Sequence, residues 1–479
     1  LEPGEKEKIM QKLNRRHFLR GVAFGAGALA LAACGQAAPV APTAAAPTAA
    51  EPTAAAPTAA APTAAAPTIA APTAMPADAM GSTIEITYWG SFSGGLGEAE
   101  QATVDAFNSS QKDVKVNYQF QGSYEETAQK LTAAIQAGQA PDVSLMSDVW
   151  WFSFYVNNQL LPLNDLMAAE GIKADDYQDV LIKEGTRKEQ VFWVPFARST
   201  PLFYYNADMW AAAGLPERGP ETWAEFGEWA PKLNSESISA FAHPGAASYI
   251  AWLFQGVIWQ HGGQYSSPDF TMTIDSENGI RAGNFYRDTT QTFKWATTPQ
   301  DVTQDFVNGL SASAMMSTGA LAGVLKNAKF KVGTAFLPKA DAFGCPTGGA
   351  GMGILASSTP EKQQAAMKWI AFATSDDWAA EWSIRTGYMP VRKKSVESEK
   401  MQAFFKENPN FKTAVDQLPL TRPQDAARVY VRGGDQIIGK GLERIVIGGE
   451  EVAPVWADVK AELEETARPT IELFKKIEA

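Results

Sequence analysis

Thr83-Ile84-Glu85-Ile86-Thr87-Tyr88-Trp89 alternates apolar and polar side chains and reads as a strand entering a half-buried sheet. A Gly/Ser loop over 90–97 follows, and 98–108 (EAEQATVDAFN) then carries apolar residues at helical spacing. Val114-Lys115-Val116-Asn117-Tyr118-Gln119-Phe120 repeats the strand pattern. Residues 124–137 (YEETAQKLTAAIQA) repeat the helical one, stopped by Gly138, and Pro141-Asp142-Val143-Ser144-Leu145-Met146 gives a third strand. Strand and helix in alternation predict an α/β fold with a mostly parallel, doubly wound sheet. Ligands of such sheets bind at loops beyond the carboxyl ends of the strands. Here those loops are 89–97, 122–124 and 147–151.

Further along, 191–206 is a long extended run broken by Pro195 and Pro201, which argues against one central strand and for a passage between two sheets. A mainly helical region follows, with helices expected near 223–233 and 250–259. Turn-rich stretches at 329–353 and 386–391 read as two more passages, and 458–476 as an amphipathic C-terminal helix.

Towards the N-terminus the pattern changes. Residues 39–76 are almost wholly Ala, Pro and Thr, with proline at 42, 47, 52, 57, 62, 67 and 72. A proline every five residues removes helix donors and clashes with each preceding turn, so this is an extended spacer. Ahead of it stand Asn14-Arg15-Arg16-His17-Phe18-Leu19-Arg20, a short apolar run, and Leu31-Ala32-Ala33-Cys34. Residues 21–33 are too few for a transmembrane helix, which needs ~20 apolar residues. The segment reads as an export signal over 1–33. It resembles a twin-arginine signal joined to a bacterial lipoprotein box, and that resemblance makes Cys34 the lipidated first residue of the mature chain. Leu1 is an unusual first residue, and Met10 would give a more compact basic start.

Composition bounds the function. The chain has 479 residues, 45% hydrophobic and 20% charged, with a formal charge of −12. Residues 1–33 hold six basic and three acidic groups, so the remainder carries about −15. Such a surface repels nucleic acid and gives no bulk attraction for an anionic ligand, which would need a local site. With only two cysteines, lipidation of Cys34 leaves Cys345 unpaired, and three histidines without a Cys pair give no zinc-like spacing. No metal or cofactor is expected. Residues 348–353 contain glycines but do not satisfy G-x-G-x-x-G, so a dinucleotide site is rejected. Fourteen tryptophans serve as core or as platforms for a ligand.

Several segments in order carry a resemblance: Ile86-Thr87-Tyr88-Trp89, Ala140-Pro141-Asp142-Val143, Pro201-Leu202-Phe203-Tyr204-Tyr205-Asn206, Met315-Met316-Ser317-Thr318-Gly319 and Arg385-Thr386-Gly387-Tyr388-Met389-Pro390. From about residue 83 onward the chain resembles the extracellular solute-binding proteins of bacterial ABC importers, carbohydrate-type class. Gly122-Ser123-Tyr124-Glu125, residues 196–206 and Gly348-Gly349-Ala350 place it nearest the sn-glycerol-3-phosphate-binding proteins. The resemblance implies a two-lobed periplasmic-binding-protein fold of type II, with three crossings and a ligand cleft between lobes that close by hinge bending. Lobe one is expected at 82–200 plus 346–390 and lobe two at 201–345 plus 391–479, behind a linker at 34–81.

Carried over position by position, the ligand contacts are Tyr124, Asp148, Ser199, Ser317, Gly349 and Tyr388, with Trp252 and Trp259 as stacking platforms. Asp148 can accept two bonds from vicinal hydroxyls, and Gly349 can present a backbone N–H unobstructed. The glycerol-phosphate proteins use an arginine here for the phosphate. The alignment sets Asp435 at that position, with Arg432 nearby, and so favours a neutral sugar or polyol over a glycerophospho compound. The implied partners are a small polar solute, the ABC permease and, through the lipid, the outer face of the cytoplasmic membrane. The chain is expected to act as a monomer and not as an enzyme. A secreted glycoside hydrolase is the competing class, but no G-x-S-x-G, H-E-x-x-H or Cys/His set supports one. A solute-sensing receptor module is the third reading.

Overall fold

Residues 83–245 and 249–478 are described by the computed structural model. The export signal, Cys34 and the Ala/Pro/Thr spacer lie outside the described residues. Twelve strands occur among them: β1 (Ile84–Gly90), β2 (Val114–Phe120), β3 (Val143–Ser147), β4 (Thr186–Arg187), β5 (Gln190–Val191), β6 (Val194–Ser199), β7 (Pro201–Asn206), β8 (Phe241–Ala242), β9 (Ala296–Thr297), β10 (Ser313–Ser317), β11 (Val332–Ala335) and β12 (Gly348–Ile354). One sheet has the order β2-β1-β3-β12-β6, the other β11-β7-β10-β8-β9, and β4 pairs with β5.

In β1, Ile86, Tyr88 and Gly90 are buried, Thr87 and Trp89 between them are half-buried and Glu85 ahead of them is exposed, as the alternation predicts. The helix Gly94–Ser110 packs against β2 and the helix Pro360–Ala373 against β1, with Val104 and Phe107 of the former buried. The helix Tyr124–Gln136 starts at Ser123, whose hydroxyl accepts from the Glu126 N–H while the Glu126 carboxylate accepts from the Ser123 N–H. Gly138, at φ +68°, stops it. The first sheet is mixed and not mostly parallel. β1 runs parallel to β2 and β3, but β12 is antiparallel to both β3 and β6. The reason is that β12 arrives from the other sheet and not through a helical crossover.

The extended run divides at one residue. β6 ends at Ser199 in the first sheet and β7 begins at Pro201 in the second. Pro195 is tolerated because β6 is an edge strand, and Pro201 because it is the first residue of its strand. The return passage runs from β11 to β12. Gln417, fully buried, ties the two together: its amide donates to the Pro201 carbonyl at 2.8 Å and accepts from the Leu337 N–H at 3.0 Å. Cys345 lies beside it, buried, with burial pushing its thiol well above the ordinary value.

The third passage is not at 386–391. Met389 N–H donates to the Arg198 carbonyl at 2.9 Å, so this stretch stays on the first sheet. The helices Lys393–Glu397 and Glu399–Glu407, expected on lobe two, pack against the helix Asp376–Thr386 instead. Ser395 donates to the Asp376 carbonyl at 2.6 Å, Arg392 pairs with Asp376 at 3.1 Å and Lys393 with Asp179 at 2.7 Å. The chain leaves at Asn408, because the helix Pro409–Gln417 packs on β11, with Asn410 donating to the Val332 carbonyl at 3.0 Å. The C-terminal helix spans Val452–Glu478 and begins earlier than its amphipathic pattern indicates.

A buried carboxyl gives the first sheet a pH dependence. Glu100 is 0% exposed and accepts from the Tyr88 hydroxyl at 2.5 Å and the Tyr118 hydroxyl at 2.7 Å. Burial raises its pKa from 4.5 to about 7, with the two phenol bonds pulling the other way. Between pH 4.5 and about 7 the folded chain therefore holds a proton that the unfolded chain has lost. Stability is full below that window and falls as pH rises through it, by roughly 3 kcal/mol. Glu100→Gln is expected to flatten this fall, as read from urea midpoints across the window. A variant that keeps the wild-type slope would contradict the assignment.

Candidate functional site

β3 and β6 end, and β12 begins, on one wall of a cavity of about 630 Å³, and β10 with the helix Ile250–Gln260 supplies the facing wall. Tyr124, Asp148, Ser199, Trp252, Ser317, Gly349, Tyr388 and Asp435 all line it. The side chains come from both sheets, so the cavity is an interlobe one.

Its floor depends on close backbone approach. Gly349 has φ +107°, and a Cβ there would lie 2.1 Å from the Ala197 carbonyl oxygen. The Gly349 carbonyl accepts from the Asp148 N–H at 2.9 Å, which fixes the turn that carries the Asp148 carboxylate. Trp252 lies flat over Gly348, where a Cβ would come within 2.5 Å of its ring, and donates Nε1 to the Thr347 carbonyl at 2.8 Å. Gly319 makes the same room for Tyr388, whose ring would be 2.6 Å from a Cβ there. Burial pushes the Tyr388 phenol up to about 12 and the Tyr124 phenol beside it well above the ordinary value, so both stay neutral donors. Ser317 caps the turn after β10, its hydroxyl accepting from the Gly319 N–H at 3.1 Å.

Trp259 does not line the cavity. It lies seven residues beyond Trp252 on one helix, about 10 Å further along the axis. There Arg422 covers its ring at 3.8 Å and Nε1 donates to both Asp425 oxygens at 3.1 Å.

The largest addition is Arg428, which the alignment passed over. It stands in the helical turn Ala426–Val429, is 6% exposed, and lines the cavity. Nε donates to Asp435 at 2.6 Å, the Asp148 carboxylate lies 3.7 Å from NH1, and NH1 donates to the Gln424 side-chain oxygen. Gln424 in turn donates to Asp148 at 2.6 Å. Burial alone would lower the Arg428 pKa, but Asp435 and Asp148 outweigh it and the net shift is upward. Burial raises the Asp435 pKa against the pull of Arg428. Arg432 is not among the lining residues; its guanidinium lies over the Trp150 ring at 5.6 Å. The sequence hid this. Arg428 and Arg432 stand four residues apart, a spacing that shares one face in a helix or a strand; the helical turn ends at Val429, and the turn over 430–433 parts them.

The lining also includes Trp150, in the expected loop 147–151, and Glu125, Tyr249 and Gln436, which were not singled out as contacts. Glu125 accepts from Trp150 Nε1 at 3.1 Å and from the Gln436 amide at 3.2 Å. Tyr249 meets Trp252 edge-to-face at 5.9 Å. The cavity thus offers one guanidinium, three carboxyl groups (Glu125, Asp148, Asp435) and a belt of aromatic rings. Among the described residues no group of three or more His, Cys, Asp or Glu is placed to hold a metal ion. No helix among them is long and apolar enough to cross a membrane.

Comparison with known proteins places this geometry in context. Residues 102–413 match the family described as bacterial extracellular solute-binding protein. The sn-glycerol-3-phosphate-binding periplasmic protein UgpB of Pectobacterium atrosepticum is 28% identical over 404 residues, covering 81% of this chain and 89% of that protein. The crystal structure of UgpB from Mycobacterium tuberculosis in complex with glycerophosphocholine superposes with a TM-score of 0.77 at 40% identity, covering 81% of this chain and all of that one. The cyclic alpha-maltosyl-1,6-maltose binding protein from Arthrobacter globiformis has a TM-score of 0.68 at 21% identity over 81% of this chain and 99% of that one, a likeness of fold alone.

Proposed function

Because the chain belongs to the bacterial extracellular solute-binding proteins, and is a binding protein rather than an enzyme, we propose that its cavity captures a glycerophosphodiester with a cationic head, of the glycerophosphocholine type. The observation that carries this reading is Arg428, buried in the cavity. A guanidinium there can take a phosphodiester through two parallel N–H bonds. Asp148, Ser199 and Gly349 then stand ready for the glycerol hydroxyls. Trp150, Tyr249, Trp252 and Tyr388 offer ring faces to a quaternary ammonium, with Glu125 as its counter-charge. Three carboxyl groups against one guanidinium disfavour a dianionic phosphomonoester and favour a zwitterion. Asp435 therefore serves as the partner that holds Arg428, not as the ligand's own contact.

Lobe one is the body around the first sheet, extended to about residue 407, and lobe two the body around the second. They hinge at Thr200, at the β11–β12 passage and near Asn408. A ligand gripped by both favours closure by its differential affinity for the closed form, and the closed form docks on an ABC permease. Cys34 carries the lipid that anchors a monomeric chain to the outer face of the cytoplasmic membrane, with 35–81 as the spacer.

A thermal-shift panel tests the ligand class. Glycerophosphocholine at a hundredfold excess over its dissociation constant should stabilise the chain by ~2.7 kcal/mol. Glycerol-3-phosphate should give a smaller shift and maltose none. A shift with maltose and none with glycerophosphocholine would return the site to a neutral sugar.

A further inference from the structure

A second cavity, of about 760 Å³, shares no lining residue with the interlobe one and is the larger of the two. The helices Trp223–Leu233 and Glu277–Gln291 wall it, with Phe293, Trp295, His261 and residues 339–341.

Its walls are unusual for a surface recess that merely fails to pack. Gly227 and Pro231 stand four apart on the cavity face of one helix, and these are the residue types that most weaken a helix interior. Packing does not demand the glycine, because a Cβ at Gly227 meets no atom within 4 Å. Phe293 is 54% exposed and lies parallel to Trp295, with 6.2 Å between ring centroids and 7° between planes. Trp223 has its Nε1 taken by Gln260 at 2.8 Å and brings only its rings to the cavity.

The polar groups are few and complementary. His261 is 8% exposed, and Nδ1 lies 2.9 Å from the Val257 carbonyl, to which the neutral ring donates. Burial lowers its pKa, so it stays neutral, and Nε2 is left as an acceptor without a partner among the described residues. Asp341 is paired with Arg281 at 2.6 Å, whereas Lys339 forms no ion pair among the described residues. The uncompensated charge at the mouth is therefore positive.

We propose that this cavity is a second binding site, taking an aromatic anion: a flat ring system that stacks on the Phe293–Trp295 pair, sets its acidic group against Lys339 and gives an N–H or O–H to His261 Nε2. Stacking supplies area, the ammonium supplies sign, and the imidazole selects a donor on the ring.

The probe is 1-anilinonaphthalene-8-sulfonate, which carries fused rings, an N–H and a sulfonate. Titrated into the full chain, it should bind once per molecule, and saturating glycerophosphocholine should leave the titration unchanged. Gly227→Leu fills the cavity from a position with room for it and strengthens the helix, and should weaken the dye at least about tenfold. Lys339→Gln should weaken it about threefold. Both variants should melt no lower than wild type and keep its glycerophosphocholine affinity, which separates loss of this site from loss of fold or cleft. Absence of saturable binding, displacement by glycerophosphocholine, or wild-type dye affinity in Gly227→Leu would each overturn the assignment.

Discussion

Arg428→Gln is expected to abolish measurable glycerophosphocholine binding. The change removes the one guanidinium that lines the cavity and leaves Asp148 and Asp435 facing each other without it. Breaking a buried, hydrogen-bonded charge pair by removing one partner costs ~3–5 kcal/mol, or between two and four orders of magnitude in an equilibrium constant. Part of that cost falls on the fold. Asp435 is already pushed up by burial against the pull of Arg428, and losing Arg428 would push it further the same way. The double variant Arg428→Gln with Asp435→Asn separates the two effects. It should recover stability, because the orphaned carboxylate is gone, but not binding, because no cation remains for the phosphate. Calorimetric titration reads the binding and urea unfolding the stability. Binding within about threefold of wild type in the single variant would remove Arg428 from the site.

Gly349→Ala should be nearly as damaging, by a different route. At φ +107° any side chain is strained, and the new methyl carbon would sit 2.1 Å from the Ala197 carbonyl oxygen. That oxygen belongs to backbone of the paired strand β6, so no flexible side chain can yield. β12 must pull away from β6, and the Asp148 turn that donates to the Gly349 carbonyl moves with it. A loss of roughly 3 kcal/mol in unfolding free energy is expected from strain and lost pairing together. Glycerophosphocholine affinity should fall at least about tenfold as Asp148 is displaced. A midpoint in urea within experimental error of wild type would show that the strand accommodates the methyl group.

These two residues also mark what a reader of the sequence can and cannot see. Gly349 was expected in the site because the Gly348-Gly349-Ala350 segment resembles its relatives, and the cavity it lines brings in Asp148, Ser199 and Tyr388 as well. The strands that carry them were legible because Ile84–Gly90 and Val114–Phe120 are local alternations. The order of the sheet was not. β12 lies some two hundred residues after β3 yet pairs with it antiparallel, and nothing local to either strand states that. The third passage was misplaced for the same reason. Tyr388-Met389-Pro390 looks like a linker until the Arg198 carbonyl is found holding it to the first sheet. Trp259 looked equivalent to Trp252 because both are helix tryptophans, but position along the axis decides which one reaches the cavity. Arg428 stands in the four-residue helical turn Ala426–Val429, seven residues ahead of Asp435, where the resemblance sets the family's arginine. The proposed phosphodiester reading rests on the residue that this turn carries, Arg428.

The most direct test is therefore a crystal structure of the chain with glycerophosphocholine bound. It should place the phosphate against the Arg428 guanidinium at N–O distances of about 2.7–2.9 Å, with the quaternary ammonium among the ring faces of the same cavity. A phosphate bound away from Arg428, or a cavity that takes a neutral sugar and leaves the Arg428–Asp435 pair untouched, would contradict it.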